Sequence, residues 1–280
     1  GKCISLFLSL LMIKNGLKKL WSEGKPAING WLSIGNSFTA EIMAAQDYDS
    51  ITIDMQHGAL DYSDALPMLQ SMRASGKTLL VRVPWNEPSI IMKALDAGAY
   101  GIICPMINNR AEAEAFVSAL RYPPNGTRSF GPTRANYAAG SGYAKEANNE
   151  ILAIAMIETA EALSNLEEIV TIPGLDAVYI GPADLTLDVM KGLLPPAFDR
   201  EEPEMIEVIQ RILSSAKGAG IRACLHCGTP KYAVQAIKWG FDLTTISGDS
   251  RLLAAASEKS VEEARLLLNG DSAKSVDQKG

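Results

Sequence analysis

The sequence predicts an α/β fold of the (β/α)8 barrel type. Three observations carry that expectation. Eight short apolar runs alternate with helical patterns, glycines stand between helices and the strands that follow, and 280 residues suit one barrel of about 250 residues. The first run, AINGWLS (27–33), precedes a helical stretch at 37–46. SITID (50–54) and TLLVR (78–82) follow, with helices at 62–75 and 87–97. GIICP (101–105) leads into a helix at 109–121, and ILAIAMIE (151–158) into one at 159–170. DAVYIG (176–181), IRACLH (221–226) and FDLTTIS (241–247) complete the strands, with helices at 203–219, 230–239 and 250–268. The helices place apolar residues at three- and four-residue steps, as in ALPMLQSM and AEAFVSAL. The strands are almost continuously apolar, as a parallel sheet covered on both faces requires. Gly76, Gly98, Gly220 and Gly240 each stand between a helix and the next strand, where a left-handed residue closes the helix. A doubly wound open sheet is the competing architecture.

The domain organisation read from the pattern is one catalytic domain over 12–268. CISLFLSLLMI (3–13) has the length of a signal peptide, but only Lys2 precedes it and no small-residue cleavage site follows. It is too short to span a bilayer. Residues 1–11 therefore read as an extension outside the fold, with an anchor or export signal as the alternative. The last stretch, 269–280, reads as a disordered tail. Residues 122–150 lack periodicity, and so long a loop in a compact domain is usually functional. It is expected on the active-site face, where Arg128, Arg134, Tyr137 and Tyr143 would shape an acceptor pocket in this subunit or the next. LLPPAFDREEPE (193–204) is a shorter excursion after the sixth strand.

The net charge of −6 is well mixed, with no basic stripe or tail, which argues against nucleic-acid binding and suits a cytoplasmic enzyme. Four cysteines do not make the dense framework of a secreted domain. Cys224 and Cys227 have C-x-x-C spacing but no second pair for zinc and no helix N-terminus for redox chemistry. They read as packing and loop residues.

In a barrel of this type, catalytic groups stand at the carboxyl ends of the strands. Strand two ends in Asp54, with His57 just beyond; strand three in Arg82; strand five in Glu158; strand six in IGPAD with Asp184; strand seven in His226. Each has a bland reading alone. Arg82 could pair with Asp54 or Asp96, Glu158 could favour a helix dipole, Asp184 could be a turn residue, and His226 a satisfied rim histidine. Together they place charges in one end of one barrel, and charges are rarely buried unless paired or metal-bound. Glu158 and Asp184 on neighbouring strands suit a hard divalent ion such as Mg²⁺ or Mn²⁺. The amides around Gly181, Ala183 and Asp184 could dock a small carboxylate. Arg82 could face a developing oxyanion, and His57, oriented by Asp54, could act as general base. Ion, arginine and base make an enolisation site for a 2-oxo acid, which chelates the ion through its carboxylate and keto oxygens.

The segments IDMQHG, VRVPWNEPSIIMKALDAGAYGIICPM, RYPPNGTRSFGP, AMIETAEALSNLEEI and GLDAVYIGPADL resemble the HpcH/HpaI class of metal-dependent aldolases, of the phosphoenolpyruvate/pyruvate barrel superfamily. The resemblance covers about residues 20–268. It implies aldol cleavage or condensation of a 4-hydroxy-2-oxo acid, giving pyruvate or a related 2-oxo acid such as hydroxypyruvate plus an aldehyde, through a metal-bound enolate. It implies Glu158 and Asp184 as ligands of Mg²⁺, Mn²⁺ or Co²⁺, and no organic cofactor. Arg82 would stabilise the enolate, and His57 with Asp54 would handle the aldol hydroxyl proton. Gly181, Ala183 and Asp184 would hold the donor carboxylate. Asp96 matches an acid that supports the base, across a subunit boundary. The resemblance also implies a homo-oligomer, a hexamer, with the last helix on a neighbour. Many relatives carry Glu where this chain has Gln56, and His226 receives no role. A metal-dependent 2-oxo-diacid decarboxylase is the alternative enzyme, and a non-catalytic binding or assembly barrel the alternative of another class. A Schiff-base aldolase would need a lysine at a strand's carboxyl end, and none is there.

Overall fold

The computed structural model describes residues 11–277, with side chains described as far as 270. Residues 1–10, most of the expected extension, and 278–280 of the expected tail lie outside the described residues. Eight strands form the barrel: β1 (Ala27–Leu32), β2 (Ser50–Asp54), β3 (Thr78–Arg82), β4 (Gly101–Cys104), β5 (Leu152–Ile157), β6 (Ala177–Ile180), β7 (Arg222–Cys227) and β8 (Leu243–Ile246). They pair in sequence order, all parallel, and β8 closes on β1. Every expected strand is present within a residue or two of its expected ends.

Side chains alternate across the strands, and the barrel sorts them by parity. Ile51, Ile53 and Val81 face outward into the core shared with the helices. Trp31, Leu80, Met156, Tyr179 and Cys224 face inward. The same parity carries the inward row up to Arg82, Glu158 and His226 at the carboxyl end. Two-residue spacing is thus the reason those polar groups converge.

The helices are α1 (Gly16–Ser22), α2 (Ser37–Ala44), α3 (Tyr62–Met72), α4 (Pro88–Asp96), α5 (Arg110–Leu120), α6 (Ala135–Ala139) and α7 (Tyr143–Glu150). Then come α8 (Ala160–Ser164), α9 (Leu166–Val170), α10 (Pro182–Val189), α11 (Pro203–Gly218), α12 (Pro230–Trp239) and α13 (Asp249–Asp277). Asp61 opens α3 with a capping box, its carboxylate bonding the first turn while Asp64 bonds back. Gly76 and Gly240 take φ of 71° and 119° after their helices, the left-handed geometry that glycine adopts without steric cost. No described helix is long and apolar enough to cross a membrane.

Four helices lie outside the expected pattern. α1 buries Leu17 and Trp21 against the inner core, and the Trp21 indole donates to the Asp242 carbonyl at 2.9 Å. It plugs the amino end of the barrel. α10 starts at Pro182 directly after β6, with no loop to announce it. α6 and α7 lie inside the stretch expected to be a loop, and α13 runs past residue 268 to Asp277, with no proline to stop it.

The position of residues 122–150 differs from the expectation. They connect the end of α5 to the start of β5, so they belong to the amino end of the barrel. Arg121 donates to the Ile151 carbonyl at 2.7 Å, and Arg134 to the Ala97 carbonyl at 2.6 Å. Arg128 and Tyr143 are fully buried and bonded to each other at 2.9 Å; Tyr137 is 81% exposed. None of them reaches this chain's own cleft. The reason is direction: a helix after a strand runs back, and its C-terminal loop emerges at the opposite end from the strand's.

Candidate active site

A cleft of about 370 Å³ opens at the carboxyl end of the barrel. Asp54, His57, Arg82, Glu158, Gly181, Ala183 and Asp184 all line it, so the expected site residues converge with one exception. Asp96 ends α4, at the other end of the barrel, and pairs with Arg128 at 2.9 Å. Within one chain it does not support the base.

Asp54 does different work from the expected orientation of the His57 ring. Its carboxylate takes a two-pronged contact from Arg82, Nε to Oδ1 at 2.9 Å and Nη2 to Oδ2 at 2.6 Å. The Trp31 indole donates to Oδ2 at 3.2 Å. The main-chain amides of Gln56 and His57 donate to Oδ1 at 3.0 and 3.2 Å. Asp54 therefore holds the loop that carries His57 through its backbone and fixes the Arg82 fork. The fork geometry favours this pairing, since two parallel N–H groups match one carboxylate. Burial pushes the Asp54 carboxyl up, but the Arg82 bonds and charge, with the two amides, outweigh it and hold it below the usual range. Arg82 also stacks on Trp31 at 4.8 Å. Its Nη1, not used by Asp54, makes only a weak contact, to Met156 Sδ at 3.8 Å.

Glu158 is 2% exposed. Its Oε1 accepts the Met106 amide at 2.9 Å, and Met106 takes a φ of 55° to aim that N–H. A non-glycine residue in this region is a local strain of the kind found at functional sites. Burial and then the Asp184 carboxylate push the Glu158 pKa up to about 7, against the Met106 hydrogen bond. Asp184 sits in the first turn of α10 and is exposed. Two carboxylates without a cation in salt-bridge contact form a donor set that a divalent ion fits. No group of three or more His, Cys, Asp or Glu poised for a metal exists among the described residues. Two protein ligands suit a hard ion that keeps waters and accepts substrate oxygens.

Gly181 makes that set possible. A Cβ there would stand 2.5 Å from Glu158 Oε2 and 3.0 Å from Met156 Cε. Both are ends of side chains that can shift, so Gly181→Ala costs little stability. It moves the one oxygen that matters, and a displacement near 1 Å can cost about 10²-fold in rate. The expected result is an unchanged melting temperature with kcat/KM down about 10²-fold. Unchanged kcat/KM would show that the Glu158 position is not critical.

Gly181 is also the N-cap of α10 and offers no side-chain cap. Pro182 has no N–H, so the first free amides of the helix belong to Ala183 and Asp184, beside the cleft. Such amides and the helix dipole favour an anion.

Sequence reasoning set aside several residues that also line the cleft. His226 lies edge-on to Trp31, ring centres 4.7 Å apart, and 4.7 Å from Phe198. Burial and the Arg82 charge lower its pKa to about 3, so it is neutral. Phe198 and Pro196 come from the excursion after α10. Ser247, Gly248, Ser250 and Arg251 follow β8, where Asp249 accepts the Ser33 and Ile34 amides and ties β8 to β1. Trp31, near the end of β1, and His226, on β7, were legible as strand-end side chains. Pro196, Phe198, Ser247 and Gly248 stand on loops whose course no periodicity reveals, and Ser250 and Arg251 open α13. Cys224 and Cys227 are buried, free and on β7 itself, which matches a packing role, though neither is in a loop.

Residues 28–256 match the model of the HpcH/HpaI aldolase/citrate lyase family. The chain belongs to this family. It is 44% identical over 253 residues to the hydroxypyruvate/pyruvate aldolase of Rhizorhabdus wittichii, covering 90% of this chain and 100% of that protein. It is 32% identical to the 4-hydroxy-2-oxo-heptane-1,7-dioate aldolase of Salmonella dublin, covering 88% and 93%. A crystal structure of an HpcH/HpaI aldolase/citrate lyase family protein from Burkholderia cenocepacia superposes with a TM-score of 0.82, at 30% identity, covering 90% and 99%. Membership makes this HpcH/HpaI barrel a carbon–carbon lyase of the aldolase type.

Proposed function

We propose that this HpcH/HpaI enzyme cleaves a 4-hydroxy-2-oxo acid to pyruvate, or a related 2-oxo acid such as hydroxypyruvate, plus an aldehyde, and runs the reverse addition. Glu158 and Asp184 would hold a divalent ion, Mg²⁺, Mn²⁺ or Co²⁺. The observation that carries this reading is one cleft holding two acids, the Arg82 fork and free helix amides, with no lysine in its lining. A Schiff-base route has no nucleophile there. The names of the two aldolase relatives support the donor and acceptor classes.

When bound, the ion supplies Lewis-acid polarisation of the 2-oxo acid. The Ala183 and Asp184 amides hold the donor carboxylate. In the cleavage direction His57, through a water, removes the proton from the C4 hydroxyl. The C3–C4 bond breaks, the aldehyde leaves, and charge collects on the C2 oxygen. Arg82 Nη1 faces that charge with a donor that Asp54 has already oriented, so little reorganisation is needed. A proton then returns to C3. Gln56 replaces an acid common at this position with a neutral amide, which leaves His57 with one less negative neighbour.

The assembly belongs to the same proposal: a homo-oligomer, six copies by family resemblance. Leu253, Leu266, Leu267 and Leu268 on α13 are 62–72% exposed, an apolar surface of the kind that protein contacts cover. Asp96 and the 122–150 segment, placed away from their own cleft, are available to another copy.

The test uses pyruvate alone in D₂O. Enzyme with Mg²⁺ or Mn²⁺ exchanges the methyl protons, followed by NMR. Excess EDTA stops both exchange and aldol turnover, and added Mg²⁺, Mn²⁺ or Co²⁺ restores them. His57→Ala loses aldol turnover by roughly 10²–10⁴-fold, the scale of a general base, and loses exchange to a smaller extent. Full activity in EDTA, or no exchange with the ion present, would overturn the proposal.

A further inference from the structure

The cleft wall beside Arg82 holds a polar group that the aldol steps leave unused. His226 tops the inner face of β7, and the layer beneath it is polar where such barrels are usually filled with branched apolar residues. Asn29, Ser50, Thr52, Tyr179 and Thr245 are all 0% exposed. They form one hydrogen-bonded chain. Ser50 and Thr52 donate to Asn29 Oδ1 at 2.8 and 3.2 Å. Asn29 Nδ2 donates to Thr245 Oγ1 at 3.0 Å. Thr245 Oγ1 lies 2.6 Å from Tyr179 Oη, which lies 2.8 Å from His226 Nδ1.

The chain has a direction. Thr245 already accepts from Asn29, so its single proton goes to the Tyr179 oxygen. The reverse would leave the Thr245 proton without an acceptor in a buried layer, which proteins avoid. Tyr179 then spends its own proton on Nδ1. Nδ1 is the acceptor, and the neutral ring keeps its proton on Nε2. No described residue bonds Nε2, and His226 lines the cleft. A row of buried hydroxyls and one amide therefore fixes a neutral N–H donor in the cleft wall.

Its position indicates what it meets. Trp31 carries Arg82 over its ring at 4.8 Å and meets His226 edge-on at 4.7 Å. His226 is thus one indole away from the group facing the C2 oxygen. It lies on β7, which pairs with β6 of the donor site, Ile180 opposite Leu225. The donor's carboxylate and C2 oxygen have charged or dipolar partners already. A single neutral N–H suits a neutral oxygen on the adjacent carbon.

Resting on the aldolase reading above, we infer that His226 is a specificity residue whose Nε2–H donates to a hydroxyl on C3 of the donor, so that the cleft selects 3-hydroxy-2-oxo acids over pyruvate. Tyr179, Thr245 and Asn29 are positioning residues that fix the tautomer. Pyruvate leaves Nε2–H without its partner, and sites built to bond a hydroxyl discriminate against the analogue lacking it.

Two measurements test this. The chain has only two histidines, so ¹⁵N-imidazole NMR with one variant assigns His226 against His57. The expected spectrum shows the Nε2–H tautomer at pH 7 in the wild-type enzyme, and Tyr179→Phe mixes the tautomers. The second is the ratio of kcat/KM for hydroxypyruvate to that for pyruvate, with one aldehyde and saturating Mg²⁺. His226→Phe keeps the ring contacts with Trp31 and Phe198 and lowers the ratio about tenfold, the scale of one hydrogen bond; Tyr179→Phe lowers it less. An Nδ1–H tautomer in the wild type, an unchanged ratio, or equal losses with both donors would overturn the inference. Wild-type turnover of pyruvate without hydroxypyruvate would also overturn it, while leaving the aldolase reading intact. Loss of pyruvate exchange in wild-type enzyme with Mg²⁺ would instead remove that reading.

Discussion

Glu158→Gln lowers kcat on the order of 10³-fold and weakens divalent-ion affinity, with the fold preserved. The change is nearly isosteric, so the Met106 amide can still find an acceptor at the position of Oε1. What disappears is the charge. Of the two acids proposed as ligands, Glu158 is the buried one, and burial pushes its pKa up to about 7. On the proposed reading an ion held there would supply the counter-charge and stabilise the charge that develops during reaction by several kcal/mol. Removing one anionic ligand forfeits about 4 kcal/mol, or 10³-fold. Titration calorimetry with Mn²⁺ reads the affinity and single-turnover kinetics the rate. A variant that binds Mn²⁺ normally would place the ion elsewhere.

The second large effect concerns Asp54 and Arg82. Asp54→Ala leaves Arg82, 9% exposed, without its partner. Breaking a buried pair from one side costs about 3–5 kcal/mol, and about 2–4 °C in melting temperature follows each kcal/mol at this chain size. The His57 and Gln56 amides lose their acceptor in the same step. Arg82→Lys keeps the charge but not the fork. It loses on the order of 10²–10³-fold in rate, the scale of one oxyanion donor, because a lysine cannot hold Asp54 and face the substrate together. The pH dependence has a defined sign. The folded-state pKa of Asp54 is depressed, so its stabilisation is complete above the unfolded value, about 3.9, and is lost as pH falls through the lower folded value. Melting curves between pH 5 and 2, wild type against Asp54→Ala, isolate that loss: the gap narrows as pH falls. A gap that widens would show that Asp54 is not the stabilised anion. Near-wild-type rate in Arg82→Lys would make Arg82 structural.

The sequence by itself determined the barrel. Strand residues covered on both sides are mostly apolar, helices packed on them repeat at three and four, and a helix that reverses before a strand favours Gly at its end. These are local requirements, so they are written locally, and all eight strands were legible from them. The same period of two that sorts Leu80 inward also sends Arg82 inward, so Asp54, Arg82, Glu158 and Asp184 could be named from their places at strand ends. His57, three residues past Asp54, was expected to have its ring oriented by that acid, and the structure instead gives Asp54 only its main-chain amide. Tertiary structure decided that the Asp54 carboxylate goes to Arg82 and to two amides, because a carboxylate takes whichever donors the fold brings to it. It decided that Asp96 and residues 122–150 lie at the far end of the barrel, since chain direction after α5 is set by where the helix stops. It also decided which side chains surround His226. In the sequence it was one strand-end polar residue among several; the hydrogen-bonded row behind it comes from Tyr179, Thr245 and Asn29, three side chains from three other strands. Hydrogen-bond direction passes between neighbours in space, and a linear sequence does not record which residues those are.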